Sequence, residues 1–186
     1  LSSLQDFFWD ADKQLFVDAL VDGKKSSQFS EHANAMALAE HIASGKQAKS
    51  IIRQLLEKDT HNFIKRANGT TIVTPAMSYF LHKGMAVYGY EDASFKMLYE
   101  RFSKMHLEGE NETLWEEWWL DGTGRSGKFQ GQRTRSDAQT ESAFAPALFA
   151  EYLLGIQVSS PGMTKINIKK PNTTLSEIQS DIPSPL

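Results

Sequence analysis

The strongest constraint on the fold is the way apolar residues recur along the chain. Some segments carry a single apolar stripe at helical spacing between charged residues, whereas others have almost no polar face. A helix with one apolar stripe lies at a surface, and a helix that is apolar all round is buried. After a short helix at 2–9, the predicted order is buried 31–43, amphipathic 46–58, buried 75–88, amphipathic 91–107 and buried 142–154.

The connections between these helices alternate in length. Links from a buried helix to the next amphipathic helix are tight, around Ser44-Gly45 and Gly89-Tyr90, whereas the return links span roughly 10–30, 59–74 and 108–138. Ordinary helix–helix loops have about 2–8 residues, and much longer loops are usually functional or disordered. Each return link leads into the start of a buried helix. We therefore expect an all-α fold with helices alone up to about residue 155. Its helix hairpins would form a double-layered ring, a toroid with the buried helices as the inner layer and the amphipathic helices as the outer layer. The long loops would lie at one end of the ring, where helix N-termini attract anions and hydroxyls.

Composition limits the class of protein. The chain has 186 residues, 40% of them apolar, enough for one sizeable core or part of a larger one. Its net charge of −3 gives no reason to expect nucleic acid or an anionic membrane as a partner. No apolar run approaches the ~20 residues of a membrane span. The absence of cysteine excludes disulfide and thiolate chemistry, and it leaves a periplasmic, extracellular or cytoplasmic location open.

One short motif suggests chemistry on sugars. Residues 113–119 read Thr-Leu-Trp-Glu-Glu-Trp-Trp and hold three of the four tryptophans. Aromatic faces stack on pyranose rings while a neighbouring carboxylate handles a proton or a water molecule. The alternative is a surface helix whose tryptophans pack on the domain and whose glutamates face solvent. The position of the motif in the longest return link favours a functional role.

A series of motifs runs through nearly the whole chain in a recognisable order. They are Phe8-Trp9-Asp10, Phe16-Val17-Asp18, Ser27-Gln28, the run from Glu31 to Leu38, Thr74-Pro75, Phe80-Leu81, Thr113-Leu114-Trp115-Glu116-Glu117-Trp118, Leu154-Gly155-Ile156, Pro161-Gly162 and Ile166-Asn167-Ile168-Lys169-Lys170-Pro171. In this order and at this spacing they resemble the bacterial α-L-rhamnosidases of the six-hairpin glycosidase group.

The resemblance implies an inverting glycoside hydrolase built on an (α/α)6 barrel of twelve helices, of which this chain supplies about half. Residues 1–156 would form the second half of the catalytic domain. Residues 157–186 would form a linker and the start of a C-terminal β-domain, and the alternating segment 163–168 suits a strand. The implied partners are a rhamnose-containing glycoside and either the remainder of the catalytic domain or a second copy of the chain.

The resemblance also assigns the catalytic base. Inverting hydrolysis needs one acid to protonate the leaving oxygen and a second carboxylate, roughly 6.5–9.5 Å away, to activate water. In this family the Trp-Glu pair carries the base, which corresponds to Glu116, and Trp115 and Trp118 are the expected sugar-stacking residues. Glu117 would point about 100° away on a helix, outward or behind the site. The family's general acid lies in the first half of the barrel, which has no counterpart here.

The remaining site residues are less sharply defined. The family usually places a histidine before the last inner helix, but this sequence has none at that position, and Gln139 or Glu141 would take over its hydrogen bonds. At the start of another inner helix, His32 and Asn34 are expected to shape the sugar pocket, with helix packing as the alternative. No metal or cofactor is expected. The missing histidine leaves open a six-hairpin glycosidase of another specificity, such as one for uronic-acid oligosaccharides, or a non-catalytic carbohydrate-binding or structural remnant.

Overall fold

Helices and short hairpins make up the computed structural model, which describes residues 2–56, 65–108, 113–118 and 139–181. The helices in these ranges are α1 (Ser2–Phe8), α2 (Glu31–Ala39), α3 (Gly45–Leu56), α4 (Ser78–Val87), α5 (Glu91–Glu108) and α6 (Ala145–Leu153). The strands are β1 (Trp9–Asp10), β2 (Leu15–Phe16), β3 (Leu20–Val21), β4 (Lys24–Lys25), β5 (Ile156–Val158) and β6 (Ile166–Ile168). None of the helices in the described ranges is long and apolar enough to cross a bilayer.

Helices α2 and α4 form the centre of the core and pack closely on each other. The contact requires a glycine, because a Cβ atom at Gly84 would lie 2.7 Å from the Leu38 Cβ and 3.1 Å from the Ala35 carbonyl oxygen. Ser30 caps α2 by accepting a hydrogen bond from the backbone N–H of Ala33 (3.3 Å). The predicted apolar helices at 31–43 and 75–88 therefore form, although each is shorter than its apolar pattern.

The amphipathic helix α3 buries the stripe that its sequence predicts. Its buried residues are Ala48, Ile51, Ile52 and Leu55. The helix begins with a capping box, in which Ser44 and Gln47 exchange hydrogen bonds between side chain and backbone. Because only one face is apolar, α3 covers the core from outside.

A parallel bridge sets the relative direction of the two central helices. Ser30, directly before α2, pairs in parallel with Thr71, a few residues before α4. The backbone N–H of Glu31 donates to the Thr71 carbonyl (2.8 Å), and the N–H of Thr71 donates to the Phe29 carbonyl (2.9 Å). The starts of α2 and α4 therefore lie side by side, as the loop lengths predict. The closure of such hairpins into half a barrel stays a prediction.

The first long connection contains strands, so the prediction of helices alone up to residue 155 is wrong. Strands β1 and β2 pair antiparallel, and so do β3 and β4. Asp10 stabilises the first turn by accepting hydrogen bonds from the N–H groups of Asp12 (3.0 Å) and Lys13 (2.8 Å). In the second turn, Asp22 and Gly23 both have positive φ (50° and 74°), as a two-residue type I′ hairpin requires.

A third hairpin follows α6. Ile166–Ile168 is the strand expected within 163–168, and it pairs antiparallel with Ile156–Val158. Gly155 (φ 69°) has no room for a side chain, because a Cβ atom there would lie 1.8 Å from the Lys169 carbonyl oxygen. The domain boundary after residue 156 stays a prediction.

The segment after this hairpin returns to the helices. Asn172 donates to the Gly89 carbonyl (2.9 Å), and the backbone N–H of Thr174 donates to the Asp92 carboxylate (3.1 Å). Residues 172–174 therefore bind the N-terminal end of α5, and the assignment of 157–186 to a linker and the start of a β-domain stays a prediction.

Candidate functional site

The motif that carries the proposed base follows α5 as irregular backbone. Residues 113–118 are not helical, so the helical geometry assumed for Glu117 is absent. Of its two expected positions, outward or behind the site, the outward one is excluded, because the Glu117 side chain is buried, at 1% exposure. Glu116 is only half-buried, although both of its neighbours are buried. The backbone on either side of Glu116 is thus held in the core while its own side chain is partly accessible.

Two of the three tryptophans of the motif, Trp115 and Trp118, belong to the core. Trp115 is 2% exposed and Trp118 is fully buried, and they form a cluster with Ile72 and Met105. The Trp118 ring meets Phe102 edge to face, with ring centroids 5.2 Å apart. Stacking on a sugar requires an exposed ring face. The described structure therefore gives these rings a packing role, and their contact with a sugar stays a prediction.

Two hydrogen bonds place this motif beside the starts of α2 and α4. The indole N–H of Trp118 donates to the Val73 carbonyl (2.6 Å), and the Val73 N–H donates to the Glu31 carboxylate (3.0 Å). Val73 precedes α4, and Glu31 is the first residue of α2. The motif is therefore anchored at the end of the helix pair where the sequence predicted a site.

The same motif contacts the approach to α6. The Ser142 hydroxyl donates to the Trp115 carbonyl (3.0 Å), and the Gln139 N–H donates to the Leu114 carbonyl (2.8 Å). Gln139 is half-buried, whereas Glu141 is exposed and its carboxylate accepts a hydrogen bond from the Thr140 hydroxyl (3.3 Å). These contacts bring 139–142 against the motif that carries Glu116, and sugar binding by Gln139 and Glu141 stays a prediction.

Asn34 has a structural partner for each of its amide donors. Its side chain accepts from the Phe16 N–H (2.9 Å) and donates to the carbonyl oxygens of Phe16 (3.0 Å) and Ser30 (2.9 Å). The residue is fully buried, so this amide fastens strand β2 to helix α2. His32 lies two residues earlier and is half-buried. A role of His32 and Asn34 in the sugar pocket stays a prediction, and for Asn34 the geometry favours the packing alternative.

A buried cluster of charges lies directly behind the motif and was missed in the sequence. Glu31 is fully buried, and its Oε1 atom accepts from Arg66 Nε (2.8 Å) and Arg101 Nη2 (2.9 Å). Its Oε2 atom accepts from Arg101 Nη1 (2.8 Å) and the Val73 N–H (3.0 Å). Four donors thus satisfy one carboxylate. The only signal in the sequence was an acidic residue opening an otherwise apolar helix.

This environment keeps Glu31 ionised. Burial raises the pKa of Glu31, but the charge and hydrogen bonds of Arg101, the charge of Arg66 and the Val73 N–H together lower that pKa from 4.5 to about 2. Nearby, His82 is buried with its Nδ1 atom 2.9 Å from the Ser94 hydroxyl. Burial and the positive charge of Arg101 lower the pKa of His82 to about 3, so this histidine is neutral. The two arginines therefore have Glu31 as a permanent counter-charge.

An open cleft of about 370 Å³ lies between the ends of α5 and α6. Its lining is mostly apolar, and it includes Thr113 and Leu114 at the start of the motif but none of the predicted site residues. Within the described ranges, no group of three metal-ligating side chains occurs. The other parts of the return link, 109–112 and 119–138, lie outside the described residues. Among the predicted site residues in the described ranges, Glu116, Gln139, Glu141 and His32 are therefore at least partly accessible.

Comparison with known proteins gives a structural relative. No protein-family model and no curated protein matches the sequence. A solved structure, the GH78 family rhamnosidase of Bacillus sp. GL1, matches over 90% of this chain with a TM-score of 0.72 and 20% sequence identity. The match spans 17% of the rhamnosidase chain. At this identity the likeness concerns the fold, and the described chain has the fold of a segment of that rhamnosidase.

Proposed function

We propose that this chain is part of an inverting glycoside hydrolase that cleaves terminal α-L-rhamnosides, with Glu116 as the general base. The observation that carries the proposal is the anchoring of 113–118 at the common end of α2, α4 and α6. Two buried tryptophans fix the backbone there while Glu116 stays partly accessible. The fold shared with a rhamnosidase and the Trp-Glu motif support the same assignment.

In this mechanism the Glu116 carboxylate removes a proton from water as that water attacks the anomeric carbon. A carboxylic acid on the opposite face of the sugar protonates the departing oxygen, so the anomeric configuration inverts. The acid would come from the part of the catalytic domain that this chain lacks, on the same polypeptide or on a second chain. We call that complete assembly the intact enzyme.

The test uses the intact enzyme and 4-nitrophenyl α-L-rhamnopyranoside. Glu116→Gln keeps the shape of the side chain but cannot take a proton, so kcat should fall by about 10²–10⁴-fold with a small change in KM. Glu100→Gln, the same change at an exposed position on α5, should leave both constants unaltered. Nuclear magnetic resonance should detect the inverted sugar as the first product. Near wild-type kcat for Glu116→Gln would exclude Glu116 as the base.

A second test removes the base and supplies azide as a nucleophile in place of the activated water. Azide is a small nucleophile that needs no deprotonation, so it should attack from the side that Glu116→Ala leaves open. The expected product is a rhamnosyl azide of inverted configuration, formed faster than the hydrolysis product of the same variant. The same azide concentration should not accelerate the Glu100→Ala variant.

A related glycosidase of different specificity is the second candidate, and one observation favours it. The segment against the motif presents Gln139 and the exposed Glu141 where the rhamnosidase family usually has histidine. The two candidates are separated by kcat/KM on aryl α-L-rhamnoside and on uronic-acid oligosaccharides. A non-catalytic remnant would bind one of these sugars without hydrolysing either, even as the intact assembly.

A further inference from the structure

We infer that Glu31 is a positioning residue for Glu116, which it holds in place through Val73 and Trp118. The inference rests on the proposed function, because it concerns the position of the proposed base. Glu31 does not reach the sugar itself, since it is fully buried and all four of its hydrogen bonds go to protein groups.

The connection runs through two hydrogen bonds of one peptide segment. Glu31 Oε2 accepts from the Val73 N–H at 3.0 Å, and the Val73 carbonyl accepts from the Trp118 indole at 2.6 Å. Trp118 stands two residues after Glu116. A change in the position of the Glu31 carboxylate therefore moves the acceptor that anchors the base-bearing segment.

The carboxylate is itself fixed from two further parts of the chain. Arg101 on α5 binds both oxygens of the Glu31 carboxylate. Arg66, in the segment before Val73, binds one of them. A bidentate guanidinium–carboxylate pair has a narrow range of geometries. Helix α2, helix α5 and the segment at 66–73 are thus locked together at one point behind the motif.

Catalysis is sensitive to such positioning. A misplacement of about 1 Å by a change remote from the reacting atoms costs about 10²-fold in rate. Groups that hold a catalytic residue through a second set of hydrogen bonds are therefore expected to affect kcat more than KM. The charge cluster meets this description, because it lies behind the motif and is sealed from solvent.

A purely structural role of Glu31 is the competing interpretation, and Leu55→Ala provides the matched control. Leu55 is buried on α3 in the main core, so this variant lowers stability without touching the hydrogen bonds that lead to Glu116. For the intact enzyme acting on 4-nitrophenyl α-L-rhamnopyranoside, Glu31→Gln should lower kcat about 10–100-fold with KM nearly unchanged. Leu55→Ala, at a comparable loss of thermal stability, should keep kcat within about twofold.

A double-mutant cycle tests whether Glu31 acts on Glu116 through Trp118. Trp118→Phe removes the indole donor, so in its presence the hydrogen-bonded connection from Glu31 through Val73 to the base-bearing segment is already broken. The double variant should lose little more kcat than the more damaging single variant, whereas multiplicative losses would overturn the inference. If Glu31→Gln does not fold, Glu31→Asp keeps the charge but shortens the side chain, and the same cycle is measured with it.

Parallel measurement of Glu116→Gln separates the two claims. Loss of kcat in Glu116→Gln, together with a Glu31 variant that behaves like Leu55→Ala, overturns the positioning role and leaves the proposed function intact. Retention of kcat in Glu116→Gln overturns both the positioning role of Glu31 and the proposed role of Glu116 as the base. Loss of kcat in both variants with non-multiplicative coupling to Trp118→Phe supports both.

Discussion

The indole N–H of Trp118 and the carbonyl of Val73 form a hydrogen bond of 2.6 Å between residues 45 positions apart. This bond joins the segment that carries Glu116 to the segment that leads into α4. Both residues are fully buried, so water cannot replace either partner. The Trp118 side chain therefore acts as a hydrogen-bond donor within the core.

Replacement of Trp118 by phenylalanine should test that role. The ring volume is reduced and the Val73 carbonyl loses its buried donor, which costs about 1–3 kcal/mol for the unsatisfied group alone. We expect a clear decrease in the free energy of unfolding, measured by denaturant titration with circular dichroism. The control is Trp9→Phe, at a half-buried ring that packs on Phe16 with centroids 5.1 Å apart. Equal losses for the two variants would remove the special role of the Trp118 indole.

The close approach of α2 and α4 predicts opposite outcomes for two glycines. In Gly84→Ala the new methyl group would lie 2.7 Å from Leu38 Cβ and 3.1 Å from backbone atoms of α2, so the helices must separate. We expect a loss of about 1–3 kcal/mol from this overpacking. Gly45 opens α3 with no atom within 4 Å of an added Cβ. Gly45→Ala should therefore be neutral or stabilising by up to about 1 kcal/mol, and thermal unfolding of both variants measures the difference.

The buried charge cluster predicts a pH dependence of stability. The pKa of Glu31 is lowered from 4.5 to about 2 in the folded protein, so the unfolded chain binds the proton more readily. The stabilisation, on the order of 3 kcal/mol, is therefore fully present above pH 4.5 and is lost as the pH falls towards about 2.

Unfolding free energies measured from pH 6 down to the acid limit should show this loss in the wild type. Glu31→Gln should be less stable at pH 6, and its free energy of unfolding should lack the decrease that Glu31 causes in the wild type at acid pH. Glu40→Gln removes an exposed carboxylate that pairs with Lys83 at 3.3 Å and should leave the profile unchanged. An identical slope in wild type and Glu31→Gln would contradict the assignment.

Substitution of Asn34 tests whether this residue shapes the sugar pocket or packs the core. Its amide holds the backbone N–H and carbonyl of Phe16, so Asn34→Ala leaves two buried backbone groups without their partner. Each such group costs about 1–3 kcal/mol, and the variant should be strongly destabilised. In the folded fraction of the intact enzyme that carries Asn34→Ala, KM for the aryl rhamnoside should be unchanged. A stable variant with a raised KM would instead place Asn34 in the sugar pocket.

The helices were predictable because their signals are local. The apolar stripe of α3 and the apolar run 35–39 of α2 each lie within one helix that packs on the core. The hairpin at Asp22-Gly23 also has a local signal, a dipeptide that tolerates positive φ, but the length of the connection by itself predicts a loop.

The charge cluster and the burial of the motif were not predictable in the same way. Glu31 and Arg101 are 70 positions apart, and no periodic pattern links residues that meet only after the chain has folded. For Glu117 the sequence leaves an outward position and a position behind the site open, and the helical geometry assumed for that choice is absent from 113–118. The Trp-Glu motif can thus be found in the sequence. Which of its side chains are buried and which are accessible depends on the backbone conformation.

The final prediction concerns the chain by itself. A base without a general acid leaves the departing oxygen unprotonated, and acid assistance is worth about 10²–10⁴-fold. The facing wall of the pocket would be missing as well, which removes substrate positioning. The 186-residue chain alone should therefore hydrolyse neither an aryl nor an alkyl α-L-rhamnoside, whereas the intact enzyme should hydrolyse both. The comparison of the aryl with the alkyl rhamnoside is informative because a nitrophenolate leaves readily without a proton, whereas an alkoxide does not. If the isolated chain cleaved the aryl substrate and Glu116→Gln abolished that cleavage, the base and its pocket would be complete within this chain, and the half-site interpretation would be wrong.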